Sequence, residues 1–174
     1  MMYAMKGDLT GLDFDLIVCP ANPQLLPGSG VNKEIFEAAG RGLLCEVMQY
    51  KELKAGQAIM TDAYHLPCKK VIHAVGPVYN SGQDNEEELL ASCYWNALAL
   101  AYDYLMKSEE EKITVAFPCI STGVGGFPDE LACHIAVKTI RKLFRLYPEA
   151  KAIDVAFVTR AQEQYKILKE ELAR

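Results

Sequence analysis

The stretch Ile113-Thr114-Val115-Ala116-Phe117-Pro118-Cys119-Ile120-Ser121-Thr122-Gly123-Val124-Gly125-Gly126-Phe127 reads as a strand running straight into a glycine-rich loop. Its first five residues are apolar or β-branched and stop at a proline, the pattern of a short strand buried on both faces. From about Pro128 to Leu146, Leu131, Ile135, Ala136, Ile140, Leu143 and Phe144 recur at helical spacing. The stretch therefore predicts strand, glycine loop and amphipathic helix in succession, the repeating unit of an α/β fold.

The rest of the chain repeats the unit. Strands are predicted at Tyr3–Met5, Asp15–Cys19, Ala58–Thr61, Lys70–Val75 and Ile153–Val158. Helices are predicted at Val31–Ala39, Leu43–Tyr50 and Ala161–Leu172. A long helix begins within Ser81–Glu88, with Asn85 as N-cap and Glu88 completing a capping box, and carries the apolar stripe Leu89 to Leu105. Strands and helices alternate throughout. The expected fold is a three-layer α/β/α sandwich around a mixed, mostly parallel sheet. At 174 residues it is one domain, 1–174, with no internal repeat or linker.

Composition narrows the function classes. A 51% hydrophobic and 24% charged chain is an ordinary globular one. The net charge of −5, with only Lys69-Lys70 and Arg141-Lys142 as short basic runs, argues against duplex nucleic acid as a partner. No apolar run approaches the ~18–20 residues of a membrane span, and the N-terminus has no signal-peptide pattern. The six cysteines show no CxxC pair or clustering, so reduced thiols in a cytoplasmic protein are expected, with no metal.

Two loops suggest the chemistry. The strand ending at Cys19 leads to Pro27-Gly28-Ser29-Gly30-Val31 and a helix; the strand ending at Phe117 leads to Ser121–Phe127 and a helix. Backbone amides of glycine-rich loops and helix N-termini bind anions. In open α/β sheets ligands collect at the carboxyl ends of strands. One such loop suggests one phosphate, and two facing loops suggest a diphosphate gripped from both sides. Neither loop is a Walker A or carries GxGxxG spacing, so ATP hydrolysis and hydride transfer lose ground. His73, inside an apolar strand, reads as a satisfied core histidine, and Cys119 has no evident base beside it. Glu86-Glu87-Glu88 reads as a solvated helix end.

These residues resemble the macro domain family. The likeness is carried by Gly7-Asp8-Leu9-Thr10, Ile17–Asn22, Gly28-Ser29-Gly30-Val31-Asn32 opening a helix to Ala38-Ala39-Gly40, Leu66-Pro67 leading to Val71–Val78, Leu89–Tyr94 and Phe117–Pro128, in order over nearly the whole chain. The resemblance implies binding of ADP-ribose, free or carried on a protein or metabolite, without a cofactor. It implies that Asp8 accepts from the adenine amino group with the Leu9 amide beside it. Gly28, Ser29, Gly30, Val31 and Asn32 would wrap the diphosphate from one side, and Ser121, Thr122, Gly123, Val124, Gly125 and Gly126 from the other. Asn22 would hold the distal ribose, Phe127 would pack on that sugar, and Val18 and Ile120 would floor the cleft, with Ala21 also in contact.

Two departures bear on mechanism. The hydrolytic branch of the family usually has an aspartate where this chain has Asn32, and often a histidine at Phe36. An amide cannot act as a general base, so Asn22 and Asn32 are left as the candidate catalytic residues, positioning rather than ionising. The aromatic often available to stack on adenine is replaced by Val158-Thr159-Arg160, where Arg160 is read as a guanidinium platform or a solvated residue, with the latter favoured. Three readings follow: an ADP-ribose binder; a hydrolase of ADP-ribosyl esters or O-acetyl-ADP-ribose; and another nucleotide- or phosphosugar-binding enzyme.

Overall fold

The computed structural model describes residues 1–174. Six strands, β1 (Met2–Lys6), β2 (Leu16–Ala21), β3 (Ala58–Asp62), β4 (Lys70–Val75), β5 (Ile113–Phe117) and β6 (Ile153–Thr159), form one sheet in the order β1-β6-β5-β2-β4-β3. All neighbours are parallel except the edge pair β3–β4, which is antiparallel. The sheet is thus mixed and mostly parallel, as the sequence predicts. Five helices cover it: α1 (Gly30–Ala39), α2 (Arg41–Val47), α3 (Glu86–Lys107), α4 (Asp129–Leu146) and α5 (Gln162–Ala173).

Side-chain alternation along the strands explains the three layers. Leu16 and Val18 of β2 point into one apolar cluster, Ile17 and Cys19 into the other, and all four are fully buried. The same alternation runs through β4, with Ile72 and Ala74 on one face and Val71 and Val75 on the other. The larger cluster packs β2, β4, β5 and β6 against α3 and α4, around Tyr94, Phe117 and Phe157, whose rings lie 5.4–6.5 Å apart. The smaller one packs the opposite face against Ile35, Phe36 and Ala39 of α1 and Leu43 and Val47 of α2. Burying each large apolar side chain contributes about 1.5–3 kcal/mol, so neither helical layer is dispensable.

Topology places the cleft. The β2–β5 pairing covers only Leu16–Val115 and Ile17–Ala116. Onward connections leave these two strands in opposite directions, β2 towards β3 and β4, β5 towards β6, which makes a topological switch point.

Four local readings are corrected. β2 continues through Pro20, opposite Ala74 of β4, to Ala21 rather than stopping at Cys19. Beyond Ile17 no β5 residue pairs with β2, so a proline there leaves a side with no ladder partner to lose. α2 ends at Val47, short of Tyr50, and a 3-10 turn, Pro148–Ala152, precedes β6. Asn85 adopts the left-handed conformation (φ 58°) and its side chain makes no cap bond, so no capping box with Glu88 forms. Glu86, only 1% exposed, takes over instead. Its carboxylate accepts from the backbone N–H groups of Asn80, Gly82 and Asp84 and ties the preceding loop to the helix. The glutamate run is therefore not a uniformly solvated end.

His73 is fully buried in β4, with Nε2 2.9 Å from Thr61 Oγ1. The Thr61 hydroxyl already donates to Asp62 O, so the imidazole donates and its Nδ1 lone pair has no partner. The expectation of a satisfied core histidine is half met. Burial pulls its pKa down to about 4, against about 6.5 in an unfolded chain. Between those values the unfolded chain binds the proton and the folded chain does not, so stability falls as pH drops through this window. The expected loss is about 3 kcal/mol by pH 4. Urea midpoints from pH 7 to 4 measure it, and a His73→Phe variant should show a flatter dependence.

Candidate functional site

A cleft of about 660 Å³ opens at the carboxyl ends of the parallel strands. It is lined by the segments after β1 (Gly7–Leu9), β2 (Asn22 to Asn32), β4 (Gly76–Val78), β5 (Pro118–Gly125) and β6 (Arg160, Ala161), together with Gln164 of α5. The two glycine loops picked out in the sequence face the same space.

The loop after β2 is held by two asparagines. Asn22 Nδ2 donates to Leu26 O at 2.7 Å and its Oδ1 accepts from Leu26 N at 3.1 Å, closing the turn on itself. Asn32, 5% exposed at the start of α1, accepts from Gly28 N at 2.7 Å and donates to Pro20 O at 3.0 Å. Its Nδ2 also lies 3.6 Å from Cys19 Sγ. The Gly28 amide is therefore spent inside the loop. The Ser29 amide has no protein acceptor, and the first-turn amides of α1 have no intrahelical one.

The loop after β5 is pinned from below. The Tyr94 hydroxyl of α3 donates to Pro118 O at 3.3 Å and accepts from Ile120 N at 3.0 Å. Gln164 Nε2 donates to Thr122 Oγ1 at 3.1 Å and to Asp129 Oδ1 at 2.8 Å, while its Oε1 accepts from Thr159 Oγ1 at 2.6 Å. Ser121 is left-handed, with φ 66°. Gly76 lies so close beneath it that a Cβ there would fall on Ser121 Oγ and within 2.7 Å of Ile120 Cγ2. The consequence is chemical. The N–H groups of Ser121, Thr122, Gly123, Val124 and Gly125 donate to no atom of the protein, in a loop whose residues line the cleft.

At another part of the cleft Asp8 Oδ1 accepts from Thr10 N at 2.9 Å and Thr10 Oγ1 at 2.7 Å. Asp8 Oδ2 lies 2.8 Å from Arg160 Nη2. These Thr10 bonds, with the Arg160 charge, hold the Asp8 carboxyl below the usual range. Arg160 also pairs both of its Nη atoms with the Glu34 carboxylate, at 2.8 and 3.0 Å. It is not the free surface residue that the sequence reading favours.

Asp8, Glu34, Arg160 and Cys119 are the only titratable side chains lining the cleft. Both carboxylates are engaged by Arg160. The Cys133 thiol, 3.9 Å away, and burial push the Cys119 thiol well above its usual pKa, which disfavours the thiolate. Each polar atom of the Asn22 and Asn32 side chains already has a backbone partner. No group of three or more His, Cys, Asp or Glu side chains gathers to hold a metal ion.

Most residues expected at the site do line the cleft: Asp8, Leu9, Ala21, Asn22, Gly28 to Asn32 and Ile120 to Gly125. Three do not. Val18 is fully buried because strand alternation turns it towards α3 and α4. Phe127, 3% exposed, packs its ring 4.8 Å from Tyr79 inside the core, and Gly126 lies off the lining. Gln164, Tyr94, Glu34 and Gly76 emerge only in three dimensions. Tyr94 and Gln164 offered one signal, a polar group on a helix face that is otherwise apolar.

Fold and site together describe an α/β domain whose strand tips gather backbone N–H groups that no protein atom accepts from. The chain belongs to the macro domain family: the Macro domain family model matches residues 18–136. A macro domain-containing protein of Listeria monocytogenes is 41% identical over 167 residues, covering 94% of this chain and 92% of its own. The O-acetyl-ADP-ribose deacetylase of Cronobacter sakazakii is 40% identical over 165 residues, covering 92% and 87%. A mutant of the Oceanobacillus iheyensis macrodomain, solved with ADPR, is 36% identical with a TM-score of 0.88, covering 98% of this chain and 90% of that one. No helix of the chain is long and apolar enough to cross a membrane.

Proposed function

We propose that this chain binds ADP-ribose, free or attached to a protein or metabolite, along the cleft at the strand tips. The observation that carries the reading is the row of unspent amides from Ser121 to Gly125 facing Ser29 and the N-terminus of α1. Such donors suit a diphosphate, whose charge the fixed N–H dipoles stabilise without a lysine or metal. Asp8 receives the adenine amine at one end. Asn22, with Ala21, borders the distal ribose at the other, where ADP-ribose 1″-phosphate would carry its extra group. The ADPR-bound Oceanobacillus relative supports the choice of ligand. Six unpaired cysteines fit a reducing, cytoplasmic setting.

Hydrolysis of O-acetyl-ADP-ribose or ADP-ribosyl esters is the second reading, favoured by the name of the Cronobacter relative. Against efficient turnover stands the absence of a free acid–base group in the cleft lining, an omission that typically costs ~10²–10⁴-fold. Calorimetric titration tests the first reading. ADP-ribose should bind with a Kd of about 1 μM or tighter, near −8 kcal/mol, and AMP and ADP more weakly. Equal weak binding of all three contradicts it. Acetate release from O-acetyl-ADP-ribose, followed on the same preparation, decides between binder and hydrolase.

A further inference from the structure

Cys119 and Cys133 make the one sulfur–sulfur contact among the six cysteines, with their Sγ atoms 3.9 Å apart. They come from different elements. Cys119 follows β5, is partly buried and lines the cleft, so a small reagent entering the cleft arrives beside it. Cys133, 1% exposed, lies in the second turn of α4 and packs into the larger apolar cluster. The other thiols stand apart from one another. Cys19 and Cys93 are fully buried, against Asn32 and the Val75 carbonyl, Cys68 is buried, and Cys45 is exposed on α2. The ligand-binding role described above uses neither Cys119 nor Cys133.

The backbone around Cys119 is the footing of the loop after β5. Pro118 O and Ile120 N, on either side of it, both bond the Tyr94 hydroxyl, and Cys119 O accepts from Thr122 Oγ1 at 2.8 Å. The free amides begin two residues further on, at Ser121. Joining the two sulfurs requires closing 3.9 Å to covalent contact. Cys133 is fixed by its helix and its cluster, whereas Cys119 lies beyond the last ladder residue of β5. The loop is therefore the side that gives, and its supports move with it.

We propose that Cys119 and Cys133 are an oxidative modification site: a hydroperoxide entering the cleft converts them to a disulfide, and the displaced loop loosens its grip on the diphosphate. The Cys119 sulfur attacks the terminal peroxide oxygen and the O–O bond breaks. The leaving oxygen departs with the thiol proton, as water or an alcohol, and Cys119 becomes a sulfenic acid. The Cys133 sulfur then attacks Cys119 Sγ. The sulfenic hydroxyl leaves with the Cys133 proton as water, and the S–S bond forms. The two thiols lose two electrons and the peroxide takes them. Contact between the sulfurs makes the second step intramolecular and fast. The first step is slow, because the thiolate is disfavoured, so the pair answers a sustained oxidant and a thiol reductant resets it. The loss of grip rests on the ADP-ribose reading; the disulfide does not.

The test uses the full chain with Cys45→Ser, so that the exposed thiol does not compete for oxidant. The protein is treated with hydrogen peroxide, its remaining thiols are blocked, and its peptides are mapped by mass spectrometry. The peptides of Cys119 and Cys133 should be found linked. ADP-ribose affinity should fall about tenfold, the worth of one displaced hydrogen bond. Dithiothreitol should reverse both changes. Adding Cys133→Ala should leave the affinity of the reduced protein unchanged; after peroxide it should yield no link and a sulfenic acid at Cys119 that dimedone traps. No link under oxidant overturns the site. A complete link with unchanged affinity overturns its coupling to the ligand. A reduced protein that fails to bind ADP-ribose overturns the ligand reading and that coupling together, while the peptide map still decides the disulfide.

Discussion

Asn32→Ala should lower folding stability by about 2–4 kcal/mol and weaken ADP-ribose binding at least tenfold. Asn32 is one of the few buried polar side chains, and it joins three separate pieces of backbone: Gly28 in the loop, Pro20 at the tip of β2, and its own helix α1. Alanine leaves the Gly28 N–H and the Pro20 carbonyl without their partner, and each unsatisfied buried group costs about 1–3 kcal/mol. Some of that is recovered if the loop opens to water. Opening is what destroys the ligand grip, because the Ser29 amide and the α1 N-terminus then lose their fixed aim. Denaturant midpoints and calorimetry on the same variant separate the two effects. A variant that keeps both stability and affinity would show that the loop is held by something else.

Gly125→Ala should reduce ADP-ribose affinity by about ten- to a hundredfold while costing only about 1–2 kcal/mol of stability. A Cβ on Gly125 would sit 2.8 Å from Ser121 O and 3.0 Å from Ser121 Cα, both backbone atoms. Neither can move alone. Ser121 O already accepts from Phe127 N at 2.9 Å, Gly125 O accepts from Tyr79 N at 2.8 Å, and Ser121 is already in the left-handed region. Relief must come from opening the loop, which disperses its convergent amides. Because the loop lies on the surface, little core packing is lost. Gly123→Ala is the matched control: a Cβ there meets nothing within 4 Å, so its fold should be unperturbed. Equal affinity for Gly125→Ala and wild type would mean that this loop does not hold the ligand.

Those two residues mark what the sequence discloses and what it withholds. Periodicity and glycine clustering are local signals, so the buried strands, the amphipathic helices and both loops were legible, and with them the layered fold and the cleft at the strand tips. Direction and partnership are not local. Val18 and Phe127 were expected at the ligand, yet strand alternation and the Tyr79 contact send both into the core. The Arg160–Glu34 pair spans 126 residues, and no spacing rule could have joined them. Asn32 was readable as an amide where an acid might stand. Its role as a brace depends on the Pro20 carbonyl, which meets it only because β2 runs on past Cys19. Likewise Glu86 replaces the expected cap because Asn85 turns left-handed, a conformation asparagine tolerates but does not announce.

The central claim is that backbone amides of two facing loops grip a diphosphate. Amide NMR of the labelled protein, titrated with ADP-ribose, addresses those groups one by one. The account predicts that Ser29, Gly30 and the amides from Ser121 to Gly125 shift together and saturate with one equivalent of ligand, while the Gly28 amide, already bonded to Asn32, moves less. Shifts confined to one loop, or absent from both while ligand binds elsewhere, would contradict it.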